Sequence, residues 1–126
     1  MNSDFYKLYF SSNGFGHGAI ALDRALIFVL DTNSRNAASL LEAELSKSYM
    51  KSCCLLIFQG VNACDFEDIA DDCLLEWEDA FVPTATSSDV TETLALIGGW
   101  EIKKPKNILV VTDSDTLPDE LKSHIA

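Results

Sequence analysis

Ala19–Asp31 reads AIALDRALIFVLD, and two fold classes part company over it. Its second half, Ala25–Leu30, is β-branched and aromatic at its centre. It runs into Asp31-Thr32-Asn33-Ser34, so it reads as a strand with a polar stop. Its first half, Ala19–Arg24, fits a short helix or the opening of one long strand. Ile20, Leu22, Leu26, Phe28 and Leu30 fall on a period of two that Arg24 interrupts. Read as one strand, the stretch folds back on the aromatic run Phe5–Phe10 (FYKLYF) through the turn Ser11–Gly18 (SSNGFGHG). That N-terminal β-hairpin makes the chain an α+β domain, which is the expectation. The alternative is an α/β, Rossmann-like arrangement of three layers.

Working along the chain, Asn33 or Ser34 caps a helix over about Arg35–Met50, apolar at Ala37, Ala38, Leu41, Leu45 and Tyr49. Cys53–Phe58 (CCLLIF) reads as a buried strand ending at Gln59-Gly60. Ala63–Phe81 reads as a second helix, with Phe66, Ile69, Ala70, Cys73, Trp77, Ala80 and Phe81 at three- and four-residue steps. Thr84–Ser88 reads as a polar loop. Asp89 with Glu92 forms a variant capping box for a helix over Val90–Ile97, which Gly98-Gly99 ends as a left-handed cap. Trp100–Ile102 reads as a short strand, Lys103–Lys106 as a turn and Asn107–Thr112 (NILVVT) as a further buried strand. Pro118 opens a terminal helix, with Asp119 and Glu120 in its first turn. The 126 residues are expected to form a single domain, residues 1–126, with a mixed sheet of four to five strands and three to four helices.

The formal charge of −11 is unevenly placed. From Ser52 to Ile102 there are eleven acids and neither lysine nor arginine, while the rest of the chain balances nine acids against nine bases. Such a field opposes direct binding of nucleic acid or anionic lipid and favours a basic partner. Asp65, Asp68, Asp72, Glu76 and Asp79 share one stripe of the second helix, widened by Glu67, Asp71 and Glu78. Like charges at this spacing destabilise a helix by about 0.2–0.5 kcal/mol per pair. A basic surface on a partner protein would offset that cost; so would Arg24, Arg35 or Lys47 from neighbouring elements.

Gly14-Phe15-Gly16-His17-Gly18-Ala19 matches the pattern GxGxxA, whose glycines let a backbone approach a phosphate. Gly14, Gly16, His17 and Gly18 therefore make a candidate ligand loop, with Asp31 or Asp113 as a neighbouring acid. Twelve positions separate Ala19 from Asp31, too few for a full helix, a turn and a strand. The loop resembles the glycine–histidine loop of nucleotide-sugar glycosyltransferases with two Rossmann domains, although Ile20 stands where many of those loops carry arginine. That resemblance implies a nucleotide ligand. Asp113-Ser114-Asp115-Thr116 resembles the paired aspartates of haloacid-dehalogenase-like phosphatases, except that Thr116 follows Asp115 without the intervening residue of that pattern. There the resemblance implies aspartates working around magnesium; capping by Thr116 explains the same residues.

Cys53, Cys54, Cys64 and Cys73 contain no CxxC pair, and His17 and His124 are the only histidines. The cysteines read as thiols, and no metal site, cofactor or catalytic residue is assigned. Thiols point to a reducing, cytoplasmic setting. The opening Met1-Asn2-Ser3-Asp4 lacks a secretory leader's basic and apolar regions, and no apolar run approaches the ~20 residues of a membrane span. The leading expectation is an acidic protein-binding module that docks a basic protein. In charge and size alone it resembles immunity proteins and DNA-mimicking phage proteins, and Phe81 or Trp100 would serve as apolar anchors. The rivals are a small enzyme or binder of a nucleotide or phosphorylated ligand at Gly14–Gly18, and a homo-oligomeric structural protein.

Overall fold

The computed structural model describes residues 6–11, 25–31, 39, 41–42, 53–74, 82–99, 106–112 and 117–125. Strands β1 (Tyr6–Ser11), β2 (Ala25–Asp31) and β3 (Cys53–Gln59) are followed by helix α1 (Ala63–Leu74). Strand β4 (Thr84–Ser87), helix α2 (Val90–Gly99), strand β5 (Lys106–Thr112) and helix α3 (Leu117–Ile125) complete the order. The five strands form one sheet in the order β1-β5-β2-β3-β4. Every pairing in it is parallel.

The parallel sheet corrects the expected hairpin and, with it, the α+β assignment: the fold is α/β. Strand β5 lies between β1 and β2 and pairs with both. The reason lies in the side chains of β2. A hairpin strand keeps one face in water, whereas Leu26, Ile27, Phe28, Val29 and Leu30 are all fully buried. Such a strand needs cover on both faces and neighbours on both sides. The apolar β5, with Ile108, Leu109 and Val110 fully buried, supplies one of those neighbours. Residues 12–24 join β1 to β2, and a parallel crossover takes about a dozen residues or more. Ala19–Arg24 itself lies outside the described residues.

Alternate residues of the central strands feed two cores. Leu26, Phe28, Leu30, Leu56, Phe58, Leu109 and Val111 pack with Leu41, Ala63, Phe66 and Ala70 on one face. Ile27, Val29, Ile57, Ile108 and Val110 pack with Ile97, Leu117 and Leu121 on the other. Helix α1 therefore covers one face, together with helical residues at Ser39, Leu41 and Glu42, and α2 and α3 cover the second. The sheet bulges at Cys54: Leu26 pairs with Cys53, but Ile27 pairs with Leu55. The extra residue shifts the phase, so that Cys54 and Leu55 both serve the second core.

Local chemistry accounts for the helix starts. Asn62 N-caps α1, its carbonyl accepting from Phe66 N–H at 3.1 Å. Phe66 then packs on Phe58 with ring centroids 6.3 Å apart; burying such a side chain contributes about 1.5–3 kcal/mol. At α2 the expected capping box is present. Asp89 Oδ1 accepts from Glu92 N–H at 2.9 Å, and Glu92 Oε2 accepts from Ser88 N–H at 2.7 Å.

Two further expectations are corrected. Thr84–Ser87 is not a loop but edge strand β4, held by β3 in the register Leu56↔Thr84 to Gln59↔Ser87. Four short polar residues give no periodic signal, and pairing to a neighbouring strand overrides that silence. Gly98 and Gly99 are helical, so α2 runs through them. Gly60 (φ +99°) is the positive-φ glycine among the described residues.

Candidate functional site

All strands of a parallel sheet end at the same edge. Ligands of open α/β sheets bind at that carboxyl edge, where the direction of winding reverses. Here the reversal lies between β2 and β5. From β2 the chain steps outward to β3 and β4, then returns to the other side of β2 as β5. Asp31 ends β2 and pairs with Thr112, which ends β5. Gln59 ends β3 and pairs with Ser87, which ends β4. The apolar strands thus turn polar at one edge. Gln59, Ser87 and Thr112 are nevertheless buried there, as is Thr93 in the second turn of α2.

Burial is tolerable because these groups satisfy one another. Ser87 Oγ and Thr93 Oγ1 are 2.6 Å apart. Thr93 Oγ1 donates to Gln59 Oε1 at 2.5 Å, and Gln59 Nε2 donates to Asp31 Oδ2 at 3.3 Å. A hydroxyl has one proton. Since Thr93 gives its own to Gln59, Ser87 must donate to Thr93. The order of donation is therefore Ser87 to Thr93 to Gln59 to Asp31, and it terminates on a carboxylate oxygen. Gly60 closes the other side: a Cβ there would lie 2.9 Å from Asp31 Oδ1. Its N–H donates to the Ser87 carbonyl at 3.0 Å, tying the β3 exit to β4.

The sequence singles out Asp31 but misses Gln59, Ser87 and Thr93. The usable signal is that apolar runs end on a polar side chain. The glycine loop with Gly14, Gly16, His17 and Gly18 lies outside the described residues, as does Asp113. Strand β1, which precedes that loop, is two strands from β2. A dinucleotide reading that takes Asp31 as the ribose acid needs those two strands side by side, and β5 stands between them.

The second candidate region is the outer face of α1. Ala63, Phe66 and Ala70 face the core, and Asp65, Asp68, Asp71 and Asp72 are exposed. Asp65, Asp68 and Asp72 lie opposite the buried residues at the helical repeat. Glu67 is turned the other way. Its Oε2 accepts from Thr84 Oγ1 at 3.2 Å, and it holds α1 against the start of β4. Glu76, Asp79, Phe81 and Trp100 lie outside the described residues, as do Arg24, Arg35 and Lys47.

Cys53, Cys54 and Cys64 carry thiols rather than disulfides. Burial pushes the Cys53 thiol up to about 12, against a smaller opposing effect from its contact with the Leu55 carbonyl. It is held protonated and unreactive at neutral pH. Among the described residues no group of three or more His, Cys, Asp or Glu is placed to hold a metal ion, and no helix is long and apolar enough to cross a membrane. The chain matches no protein-family model, no curated protein and no solved structure with which it was compared.

Proposed function

We propose that this chain is a binding module that docks a basic protein through the outer face of α1. One observation carries the reading: Asp65, Asp68 and Asp72 project together from the side of α1 opposite its core residues, and all three are exposed. They belong to a fifty-one-residue segment that contains no lysine or arginine. Repulsion within such a row is a standing cost of the free protein. A cationic surface relieves it and is steered toward it from a distance. Glu76 and Asp79 extend the same stripe in sequence and belong to the proposed face.

The test compares the natural chain with the triple variant Asp65→Asn, Asp68→Asn, Asp72→Asn as baits in cell lysate, at low and at high salt. The expected result is a basic protein retained by the natural chain, lost from the variant and lost at high salt. Identical capture by both baits removes the proposal.

The rival reading, a nucleotide or phosphorylated ligand at Gly14–Gly18, gains no support from the separation of β1 and β2. A homo-oligomeric structural role is the third reading, and light scattering that shows a monomer removes it.

A further inference from the structure

Strand β4 ends the sheet: among the described residues its one strand neighbour is β3. An edge strand leaves a row of main-chain N–H and C=O groups without ladder partners. The bonds to β3 fix which residues carry that row. Leu56 N–H donates to the Pro83 carbonyl and Gly60 N–H to the Ser87 carbonyl, both at 3.0 Å. Alternate residues of a strand face the same neighbour, so Pro83, Ala85 and Ser87 turn their main chain toward β3. Thr84 and Thr86 turn theirs outward. Pro83, which lacks an N–H, therefore removes no donor from the outer edge. The next outward residue, Ser88, is engaged by the helix cap, where its N–H donates to Glu92 Oε2 at 2.7 Å. The open stretch is Thr84–Thr86, and Thr86 is exposed.

Natural edges are commonly guarded by a lysine or an inward-pointing charge; Thr84–Ser87 has neither. Its side chains are small and turned to the fold at Ala85, Ser87 and Thr84, which pack on the second core, bond Thr93 and bond Glu67. What surrounds the edge is acid. Because Glu67 bonds Thr84, the flank of α1 that carries Glu67 is the one turned toward β4. At the helical repeat Asp71 and then Asp68 follow Glu67 outward on that flank, and both are exposed. Asp89 and Glu92, also exposed, stand beyond the carboxyl end of the strand. A second copy of the chain would bring an identical segment without lysine or arginine against this one and be repelled. An extended segment bearing lysine or arginine meets opposite charge on the α1 side and open main chain along β4. With four residues β4 offers a short ladder, so the surrounding charge must add to the pairing.

We infer that β4 accepts an extended basic segment of another protein as a sixth strand of the sheet. The inference rests on the docking reading above for the charge of the partner, and adds the form of the bound segment: a strand rather than a helix or a folded patch. Main-chain bonds to Thr84 and Thr86 hold it, and the acids of α1 and of the α2 cap select lysine or arginine.

The test titrates the whole protein with short synthetic peptides, following heat and backbone amide NMR shifts. One alternates lysine and valine. Another has the same sequence with every backbone nitrogen methylated, so that it keeps the charge and loses the pairing. A third carries glutamate in place of lysine. The lysine–valine peptide is expected to bind and to shift the amides of Thr84, Ala85 and Thr86. Methylation should weaken binding about tenfold or more, and the glutamate peptide should not bind. Thr86→Pro removes an outward N–H and leaves the ladder to β3 in place, so it should weaken binding to the same extent while urea unfolding shows the fold kept. If Thr86→Pro does not fold, the methylated peptide decides the matter. Three results overturn the inference: no binding of the lysine–valine peptide, equal affinity for its methylated form, or equal affinity in folded Thr86→Pro. Shifts confined to α1 and lost in the Asp65→Asn, Asp68→Asn, Asp72→Asn variant end the inference and leave the docking face of α1 standing. Shifts at β4 that survive in that variant uphold the strand and end the docking face.

Discussion

The interior of the sheet and the outer face of α1 handle polar groups in opposite ways. Inside, Cys53, Gln59, Ser87 and Thr93 are each fixed by burial and by one or two named partners. Outside, Asp65, Asp68, Asp71 and Asp72 stand exposed along one helix. In the interior the identity of a single atom matters, because a lost partner leaves a desolvated group behind. On the helix surface only the summed charge matters, because water and salt screen each member. Interior substitutions should therefore have large effects that ignore salt, and surface substitutions small effects that follow it.

The largest effect is expected at Gly60. Gly60→Val combines a positive φ with a Cβ pressed on Asp31, and should cost about 3 kcal/mol in urea unfolding. A loss under about 0.5 kcal/mol would mean that the turn and Asp31 move aside freely, and the interior would then be less rigid than the contrast requires. Next comes Thr93→Val, which is close in shape but leaves Gln59 Oε1 and Ser87 Oγ without their shared partner. It should cost about 1–3 kcal/mol, unchanged between low and high salt.

Cys53 sharpens the contrast through pH. Its folded thiol titrates near 12 against an ordinary value of 9.0, so the folded state holds this proton more tightly than the unfolded state. The associated stability is present in full below about pH 9. It is lost as pH rises from there through about 12, at roughly 1.4 kcal/mol per pH unit. Alkaline unfolding of Cys53→Ala should lack that share of the decline; parallel curves for the two proteins would place Cys53 in water. The smallest effect belongs to α1. Asp68→Asn removes a like charge four residues from Asp72 and should raise stability by about 0.2–0.5 kcal/mol at low salt and by less at high salt. A loss of stability there would show Asp68 to be bound to the fold like Glu67.

What the sequence reveals, and what it hides, follows the range of the forces involved. Strands β2, β3 and β5 are readable because each is a short apolar run with a polar stop. The α2 cap is readable because Asp89 and Glu92 act across three residues. The donor series at the carboxyl edge is not, because Gln59 meets Asp31 across 28 residues and Thr93 across 34. Strand β4 is hidden for a related reason: Thr84–Ser87 has no pattern of its own and takes its conformation from β3. The absence of a β1–β2 pairing is hidden most deeply: a period of two running through Arg24 fits one strand, while the full burial of Leu26–Leu30 depends on β5, which the chain supplies some eighty residues later. Of the proposed docking face, Asp65, Asp68 and Asp72 were readable from helical spacing alone, whereas the withdrawal of Glu67 toward Thr84 was not.

The insertion of β5 between β1 and β2 also sets an order of events during synthesis. Strand β1 is made before the other four described strands, but its neighbour β5 is made after them: Tyr6 pairs with Lys106 and Ser11 with Val111. When the ribosome has released β2, β3 and β4, those three can already associate, and Tyr6–Ser11 still has no strand to join. This aromatic segment must then wait, unpaired, until Lys106–Thr112 has been made. Closing so long a loop is slow, and an idle β-prone segment is a hazard for aggregation in the meantime. A nascent chain stalled before residue 106 should accordingly bind chaperones through Tyr6–Ser11, and release them once Lys106–Thr112 emerges.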